Sequence, residues 1–307
     1  MVRSLKDYIV IGLKGMAMGA ADVVPGVSGG TIAFISGIYE ELLGAISNVN
    51  LKLFKTLKNE GIKAAWKQIN GSFLLALFTG IFISIISLAK TIKWLLENEP
   101  VLLWSFFFGL VLASIIYIGK QVENWNFKII ILFILGIAFG YIITVIPSTN
   151  AGSINYLFLV FAGAIASCAM ILPGISGSYI LLLIGVYPIV MTAITTKDVK
   201  IIGAIGIGVI IGLLSFSKLL KWLFVNYKNE MLIALTGIML GSLNKVWPWK
   251  ETVSTYVDSH GVTKPLVEQS ISPFSYNGDP ELLLAILLAV AGFALILIME
   301  KLAVKKA

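Results

Sequence analysis

Long apolar runs separated by short polar segments dominate this chain of 307 residues. The runs lack the alternation of half-buried strands, and most are close to the roughly 20 residues that a helix needs to cross a bilayer. The pattern therefore predicts apolar helical segments along the whole chain. In the first half they cover residues 8–24, 28–47, 73–89, 101–119 and 127–146. In the second half they cover residues 154–172, 176–195, 201–216, 231–246 and 281–299.

The two halves of the chain repeat one order of proline, glycine, serine, lysine and tryptophan positions. One set recurs after 148 residues, namely Pro25, Gly26, Ser28, Gly29, Gly37 and Tyr39 as Pro173, Gly174, Ser176, Gly177, Gly185 and Tyr187. Another set recurs after 128 residues, namely Gly80, Lys90, Lys93 and Trp94 as Gly208, Lys218, Lys221 and Trp222. Apolar residues match easily by chance but this mixed order does not, and we infer an internal duplication.

Each predicted repeat combines a broken helical hairpin with three further spans, so it crosses the membrane an odd number of times. The second copy should then be inverted relative to the first, as in many secondary transporters. We therefore expect an all-α polytopic membrane protein of two inverted-topology repeats, residues 1–150 and 151–307. Their hairpins, either re-entrant or fully spanning, would be 8–47 and 154–195, with a linker at 48–71.

Composition and charge agree with a membrane protein. The chain is 58% hydrophobic and only 13% charged, whereas soluble proteins have about 25% charged residues. The net charge of +7 comes mostly from lysines in short polar segments, which indicates cytoplasmic loops rather than nucleic-acid binding. Residues 1–7 and the linker should be cytoplasmic, with both termini on that side of a bacterial inner membrane. A single cysteine, Cys168, and a single histidine, His260, predict no disulfide and no metal site, and no cofactor is expected.

Two matching breaks carry the candidate chemistry, VPGVSGGT at residues 24–31 and LPGISGSY at residues 172–179. Proline ends one helix, and the following serine is suited to cap the next one. Small residues then leave the first backbone N–H groups of that helix open to an anion. The predicted phosphate-binding residues are Ser28, Gly29, Gly30, Thr31, Ser176, Gly177 and Ser178. One break alone would indicate only close helix packing, whereas two matched breaks favour a transport site.

Two carboxylates near the first break are candidates for proton coupling or gating. Asp22 lies three residues before Pro25, at a depth where an ionised carboxylate is costly unless it is paired or functional. The alternative for Asp22 is that it caps backbone N–H groups of the loop. Glu40 lies further along the second arm, where solvation at the membrane interface is the simpler interpretation.

The segment Gly15–Leu42, which contains MGAADVVPGVSGGTIAFISGIYEEL, resembles the signature of bacterial polyprenyl-phosphate transporters. The resemblance covers nearly the whole chain. It implies a flippase that returns undecaprenyl phosphate to the cytoplasmic leaflet for cell-envelope synthesis. Its partners would be the lipid-linked phosphate and the surrounding membrane lipids, and the sequence leaves open whether copies assemble into a homo-oligomer.

Three other interpretations remain open at this point. The chain is similar in outline to undecaprenyl-diphosphate phosphatases, but Gly29 and Gly177 stand where those enzymes have an arginine. Without a cation to stabilise the developing charge, hydrolysis is disfavoured, and we expect a carrier rather than an enzyme. A transporter of a small anion could use the same loops, and a structural membrane subunit would not need them.

Overall fold

The computed structural model describes residues 3–24, 27–146, 155–257 and 263–304. Pro25, Gly26, His260 and the end of the predicted first repeat at 147–150 lie outside the described residues. The helices of the first half are α1 (Leu5–Val23), α2 (Gly29–Ile35), α3 (Tyr39–Ser47), α4 (Leu51–Glu60), α5 (Ile62–Gln68), α6 (Gly71–Asn98), α7 (Pro100–Gly119) and α8 (Phe127–Val145). Those of the second half are α9 (Tyr156–Ile171), α10 (Gly177–Leu183), α11 (Tyr187–Thr196), α12 (Val199–Asn226), α13 (Lys228–Ser242) and α14 (Leu282–Val304).

Helices of matching length occur in the same order in the two halves. Helices α2 and α10 both have seven residues and begin at Gly29 and Gly177. Helices α6 and α12 both have 28 residues and begin at Gly71 and Val199. These offsets are the 148 and 128 residues of the sequence comparison. The helix order therefore follows the duplication inferred from the sequence.

Each predicted hairpin contains a second break that the sequence analysis did not anticipate. The arms at 28–47 and 176–195 are not continuous helices, because Gly37 and Gly185 interrupt them with the same φ of 73°. A residue without a Cβ adopts this left-handed conformation at little cost. The chain consequently bends by 108° between the axes of α10 and α11. The recurrence of the two glycines was visible in the sequence, but their effect on the helix was missed.

Helices α6 and α12 run well beyond the predicted spans at 73–89 and 201–216. The segment 90–98 was expected to be a loop, but it continues α6. No helix-breaking residue precedes Pro100, which lies in the first turn of α7, where a missing N–H group costs nothing. Helix α6 therefore continues to Asn98 and ends just before Pro100, the first residue of α7.

Close backbone contacts at glycines hold the long helices together. Helix α1 packs along α6, and a Cβ atom added at Gly80 would overlap the carbonyl oxygen of Gly12. Helix α9 packs along α12 in the same way, with Gly208 against Val160. Small residues let helices approach closely inside a membrane, where apolar burial does not drive association. The equivalent helix pairs of the two halves thus use equivalent glycines.

The other helices pair between the halves rather than within them. Helix α7 packs against α14, and α8 packs against α13. Gly109 meets the backbone of Ala289 in the first pair, and Gly136 meets that of Ala234 in the second. The largest core cluster accordingly includes residues from Ile11 to Ile296. The two halves are interlocked rather than laid side by side.

A β-hairpin corrects the expectation of an all-α chain. Strands β1 (Lys250–Val257) and β2 (Thr263–Ser270) pair antiparallel between the predicted apolar segments 231–246 and 281–299. The run from Thr252 to Val257 is rich in β-branched and aromatic residues, which favours a strand. Trp247 and Trp249 hold the base of the hairpin by donating their indole N–H groups to the carbonyl oxygens of Ile271 and Pro280.

Four of the described helices are long and apolar enough to cross a membrane, namely α6, α7, α8 and α12. The bent pair α10 and α11 passes the same test as one unit, and α9 and the Leu282–Ile298 part of α14 are shorter apolar helices. Large apolar side chains are exposed along these helices, including Phe82, Ile134 and Ile210. The fold is therefore that of a mostly helical, polytopic membrane protein.

Candidate functional site

The first break is closed by the protein's own polar groups. Ser28 caps α2 as predicted, since its Oγ accepts a hydrogen bond of 3.1 Å from the N–H group of Gly30. The Oδ1 atom of Asp22 accepts one of 2.6 Å from the N–H group of Gly29. Asp22 therefore caps the loop, as its alternative interpretation proposed, and it lies at the protein surface. A carboxylate occupies the helix start where an anion was expected.

The second break is organised differently. Ser176 stands at the N-cap position of α10 but makes no capping hydrogen bond, so that part of the prediction is wrong. Its hydroxyl oxygen lies 2.8 Å from that of Ser178 instead. The position equivalent to Asp22 is Met170, which has no carboxylate to offer the helix start. Gly177 is buried, but Ser176 is half-buried and Ser178 is exposed.

The two breaks touch each other across the halves. The N–H group of Gly174 donates a hydrogen bond of 2.9 Å to Oγ1 of Thr31. In the opposite direction, the hydroxyl of Ser28 donates one of 3.2 Å to the carbonyl oxygen of Met170. Ser28 and Thr31 are only 2% and 1% exposed. These bonds link the start of α2 to the end of α9 and to the second break, so a relative movement of the halves must break them.

Helices α2 and α3 are also tightly packed against the second half. Every residue of α2 is buried. The rings of Phe34 and Tyr39 lie 6.2 and 5.6 Å from that of Phe224 on α12. The hydroxyl of Tyr39 donates a hydrogen bond of 3.1 Å to the carbonyl oxygen of Ile171. The helices equivalent to α2 and α3, α10 and α11, are less buried, so the two halves are not in equivalent conformations.

Polar contacts close the end of the protein that carries the N-terminus. Arg3 makes a bidentate ion pair with Glu41, with N···O distances of 2.6 and 2.7 Å. Glu40 pairs with Lys228, whose Nζ atom lies 3.0 Å from Oε1 of the glutamate. Glu40 is thus a surface residue of α3, and the structure does not bring it together with Asp22. The guanidinium of Arg3 is therefore engaged at this end of the protein.

A cavity of about 380 Å³ opens beside the second break, at the opposite end. The residues that line it come from the end of α8, from α10, from the 3-10 turn after α13 and from the hairpin, and they include Thr144, Tyr179, Leu182, Asn244, Lys245 and Glu268. A narrow cleft that is also lined by Lys245 and Tyr179 continues to Gly174 and Ser176. Lys245 is therefore a cation that lines both the cavity and the cleft at the second break.

Sequence reasoning missed Lys245 because the residue falls inside the predicted span 231–246. A lysine within an apolar segment is a signal of function when it faces the protein interior, and this signal was available. Its side chain is 15% exposed, and its Nζ atom lies 3.7 Å from Oε2 of Glu268. Among the described residues, no group of three or more His, Cys, Asp or Glu side chains is placed to hold a metal ion.

These features define a class: a polytopic helical membrane protein with two matched helix breaks in contact inside it. Comparison with known proteins identifies the family within this class. The chain belongs to the undecaprenyl phosphate translocase-like family, whose model matches residues 18–264. The family resemblance stated from the segment Gly15–Leu42 is thereby confirmed.

Two curated relatives carry the same name. The chain is 48% identical over 303 residues to a Vibrio cholerae protein named polyprenyl-phosphate transporter, covering 97% of this chain and 98% of that protein. It is 34% identical over 253 residues to a Staphylococcus aureus protein of the same name, covering 77% of this chain and 85% of that protein. No solved structure gives a significant match.

Proposed function

We propose that this protein is a flippase that translocates polyprenyl phosphate, specifically undecaprenyl phosphate, between the leaflets of the bacterial cytoplasmic membrane. It would return the carrier lipid for a new round of cell-envelope synthesis. The observation that carries the proposal is the 48% identity, over almost the whole of both chains, to a protein named polyprenyl-phosphate transporter. The matched helix breaks supply a physical basis for moving an anionic headgroup through a bilayer.

The headgroup would be handled at the two breaks while the polyprenyl tail stays in the lipid. Short helices such as α2 and α10 present free N–H groups without spanning the membrane. In the present conformation Asp22 fills the start of α2, and the start of α10 adjoins the open cavity. A phosphate could reach the first break only if the carboxylate of Asp22 moved away or became protonated. This competition gives Asp22 a physical reason to act in gating or proton coupling.

The directions of α6 and α12 support an inverted arrangement of the two repeats. The N–H group of Glu123, just after α7, donates a hydrogen bond of 2.7 Å to Oδ1 of Asn229, in the first turn of α13, which directly follows α12. Helices α7 and α12 therefore end on the same side of the protein. Helix α6 ends where α7 begins, which is the other side. Two repeats of opposite direction would provide two related conformations that open to opposite faces of the membrane.

Charge supports an orientation with the N-terminus in the cytoplasm. The side that carries Arg3 also carries the lysine-rich linker helices α4 and α5, together with Lys120 and Lys228. An excess of lysine and arginine marks cytoplasmic loops. On this basis the β-hairpin and its cavity face the periplasm, and the C-terminal end of α14 faces the cytoplasm. The conformation described here is then closed toward the cytoplasm and open toward the periplasm.

Coupling to protons would assist retrieval of the lipid. Moving a negative charge toward the cytoplasm works against an inside-negative potential, at about 2.3 kcal/mol per charge for each 100 mV. A proton that travels with the headgroup removes one charge and so reduces this cost. Asp22 is the carboxylate placed at the contact between the breaks, which makes it our candidate for the coupling.

Transport in proteoliposomes tests the proposal. Wild type should flip a labelled polyprenyl phosphate, and the Ser28→Ala/Ser176→Ala double variant should flip it at least tenfold more slowly. Ser87→Ala is the matched control, because the hydroxyl of Ser87 is exposed and bonds only within α6. Correctly inserted wild type that takes up inorganic phosphate and flips no lipid would contradict the proposal and favour a small-anion transporter.

A further inference from the structure

We propose that the cavity around Lys245 is a receiving site for an isoprenoid phosphate monoester on the side of the protein that carries the β-hairpin. The inference rests on the proposed function and deepens it, because it adds to the two breaks a site that neither the repeat pattern nor the helix starts predict. The site would hold the phosphate headgroup before it reaches the second break.

Two lysines share one carboxylate at this site. The Nζ atoms of Lys245 and Lys250 lie 3.7 and 4.0 Å from the same oxygen of Glu268. The Nζ atom of Lys250 is buried and has no hydrogen-bond partner among the described residues; it lies 3.4 Å from the centre of the Trp104 ring. When both lysines are protonated, the cluster carries a net positive charge in a partly desolvated environment. Such a cluster attracts an anion more strongly than an exposed lysine does.

Burial lowers the pKa of both lysines more than the nearby carboxylate raises it. Burial lowers the pKa of Lys245 even though Glu268 opposes the shift. Burial also lowers the pKa of Lys250 to about 7, again against the attraction of Glu268 and with added repulsion from Lys245. The attraction of Glu268 thus does not offset the effect of burial on either ammonium group. A phosphate dianion would supply additional negative charge.

The shape and lining of the cavity suit a lipid headgroup better than a free ion. Its volume of about 380 Å³ exceeds the need of a phosphate group and leaves room for the first isoprene unit. Val145, Ile146 and Leu182 add apolar surface to the lining that contains Lys245 and Glu268. An amphipathic cavity of this kind matches a molecule with one charged end and one apolar end.

The position of Lys245 connects the cavity to the contact between the breaks. Lys245 also lines the cleft that reaches Gly174 and Ser176, and Gly174 in turn bonds Thr31 of the first break. The residue equivalent to Lys245 in the first half is Tyr117, which carries no positive charge. The receiving site therefore belongs to one side of the protein only, in contrast to the duplicated breaks.

Ligand binding to the purified full-length protein tests the inference. Farnesyl phosphate, farnesol and inorganic phosphate are titrated separately, with tryptophan fluorescence and ligand-induced thermal shift as readouts. We expect wild type to bind farnesyl phosphate, and Lys245→Gln to weaken this binding at least tenfold. Lys245→Arg should retain most of the affinity. Glu268→Gln should increase the affinity several-fold, because it removes the competing carboxylate.

Lys93→Gln is the matched control, since it removes an exposed lysine of the same end of the protein that pairs with Glu97 on its own helix. The affinity of this variant should equal that of wild type. Unchanged binding of farnesyl phosphate by folded Lys245→Gln overturns the inference. Equal affinity for inorganic phosphate and farnesyl phosphate overturns the lipid assignment. Flipping of polyprenyl phosphate by the same wild-type preparation is measured separately. If the protein flips the lipid, neither of these two binding results contradicts the proposed function. If it does not flip the lipid, the proposed function is contradicted whatever the binding results are.

Discussion

At the scale of single residues, the two breaks differ most at Asp22 and its equivalent, Met170. The carboxylate of Asp22 accepts a hydrogen bond from the N–H group of Gly29, whereas the apolar side chain of Met170 packs close to Gly177. Of the two equivalent positions, only Asp22 can be protonated, so a change of pH at this position acts on the first half alone. The difference thus makes the two helix starts unequal in charge although their backbones are similar.

Replacement of Asp22 separates its capping role from its role in coupling. Asp22→Asn keeps an oxygen that accepts from Gly29, so we expect its thermal stability to stay close to that of wild type. Asp22→Ala leaves this N–H group without its partner and should cost about 1–3 kcal/mol. Flipping by Asp22→Asn should lose its dependence on pH, as measured in proteoliposomes between pH 5 and pH 8. Wild-type pH dependence in this variant would exclude Asp22 as the coupling residue.

Individual residues show where sequence reasoning succeeded and where it could not. Ser28 was predicted as a cap and is one, because the preference of serine for this position is local. Ser176 stands at the equivalent position but does not cap α10, and its hydroxyl lies 2.8 Å from that of Ser178, where the first half has Gly30. Thr31 was assigned to phosphate binding and in the present conformation accepts from Gly174 instead. The partner of Thr31 lies 143 residues away in the chain, so local sequence could not predict it.

At the scale of elements, glycine contacts distinguish structural from permissive positions along α12. A Cβ atom at Gly208 would overlap the backbone of α9, whereas one at Gly206 would meet nothing within 4 Å. Both glycines lie in the same helix, so their helix propensities are the same. They therefore form a matched pair for testing the α9–α12 contact.

We expect Gly208→Ala to lower the melting temperature in detergent, because overpacking a close helix contact costs about 1–3 kcal/mol. Gly206→Ala should leave the melting temperature unchanged or raise it slightly, since alanine favours a helix over glycine by up to about 1 kcal/mol. Thermal unfolding monitored by circular dichroism measures both. Equal effects of the two substitutions would contradict the close approach of α9 and α12.

The elements also show the limits of the apolar pattern. The predicted spans 73–89 and 201–216 are shorter than α6 and α12, because the apolar pattern stops at Lys90 and Lys218 while both helices continue past these lysines. The hairpin of β1 and β2 was missed because its strands are polar and contribute little to a hydrophobic pattern. A hydropathy pattern identifies apolar membrane segments, but it carries little information about polar elements outside the membrane.

At the scale of the whole molecule, α3 forms a contact with α12 that has no close counterpart between α11 and α6. Lys221 donates a hydrogen bond of 3.4 Å to Oδ1 of Asn48 at the edge of this contact. If the halves rock during transport, this end of the protein must open while the cavity at the other end closes. Residues 48 and 221 should then separate in each cycle.

A short chemical cross-link between Asn48→Cys and Lys221→Cys should therefore block flipping. The experiment uses a Cys168→Ala background and a bifunctional maleimide, and a reducible linker should restore transport when it is cleaved. A cross-link within one rigid helix, between Lys90→Cys and Lys93→Cys of α6, is the control and should not block flipping. Full transport by completely cross-linked 48–221 protein would contradict movement at this contact.

Labelling of single cysteines tests the orientation of the whole protein. In the same background, Thr252→Cys on β1 should react with a membrane-impermeant maleimide in cells whose inner membrane is intact. Lys63→Cys in α5 should react only after that membrane is permeabilised. Both residues are exposed, so accessibility depends on the side of the membrane alone. The reverse pattern would invert the orientation proposed from the lysines.

The sequence by itself determined the membrane class, the duplication, the positions of both breaks and the family. These properties follow from composition, hydrophobic period and local motifs, which are encoded over short stretches of chain. Only the tertiary structure decided that α7 pairs with α14 and α8 with α13, that Asp22 fills the start of α2, and that Lys245 adjoins the second break. Each of these depends on contacts between residues of different halves, and local preference carries no information about which distant residues will meet.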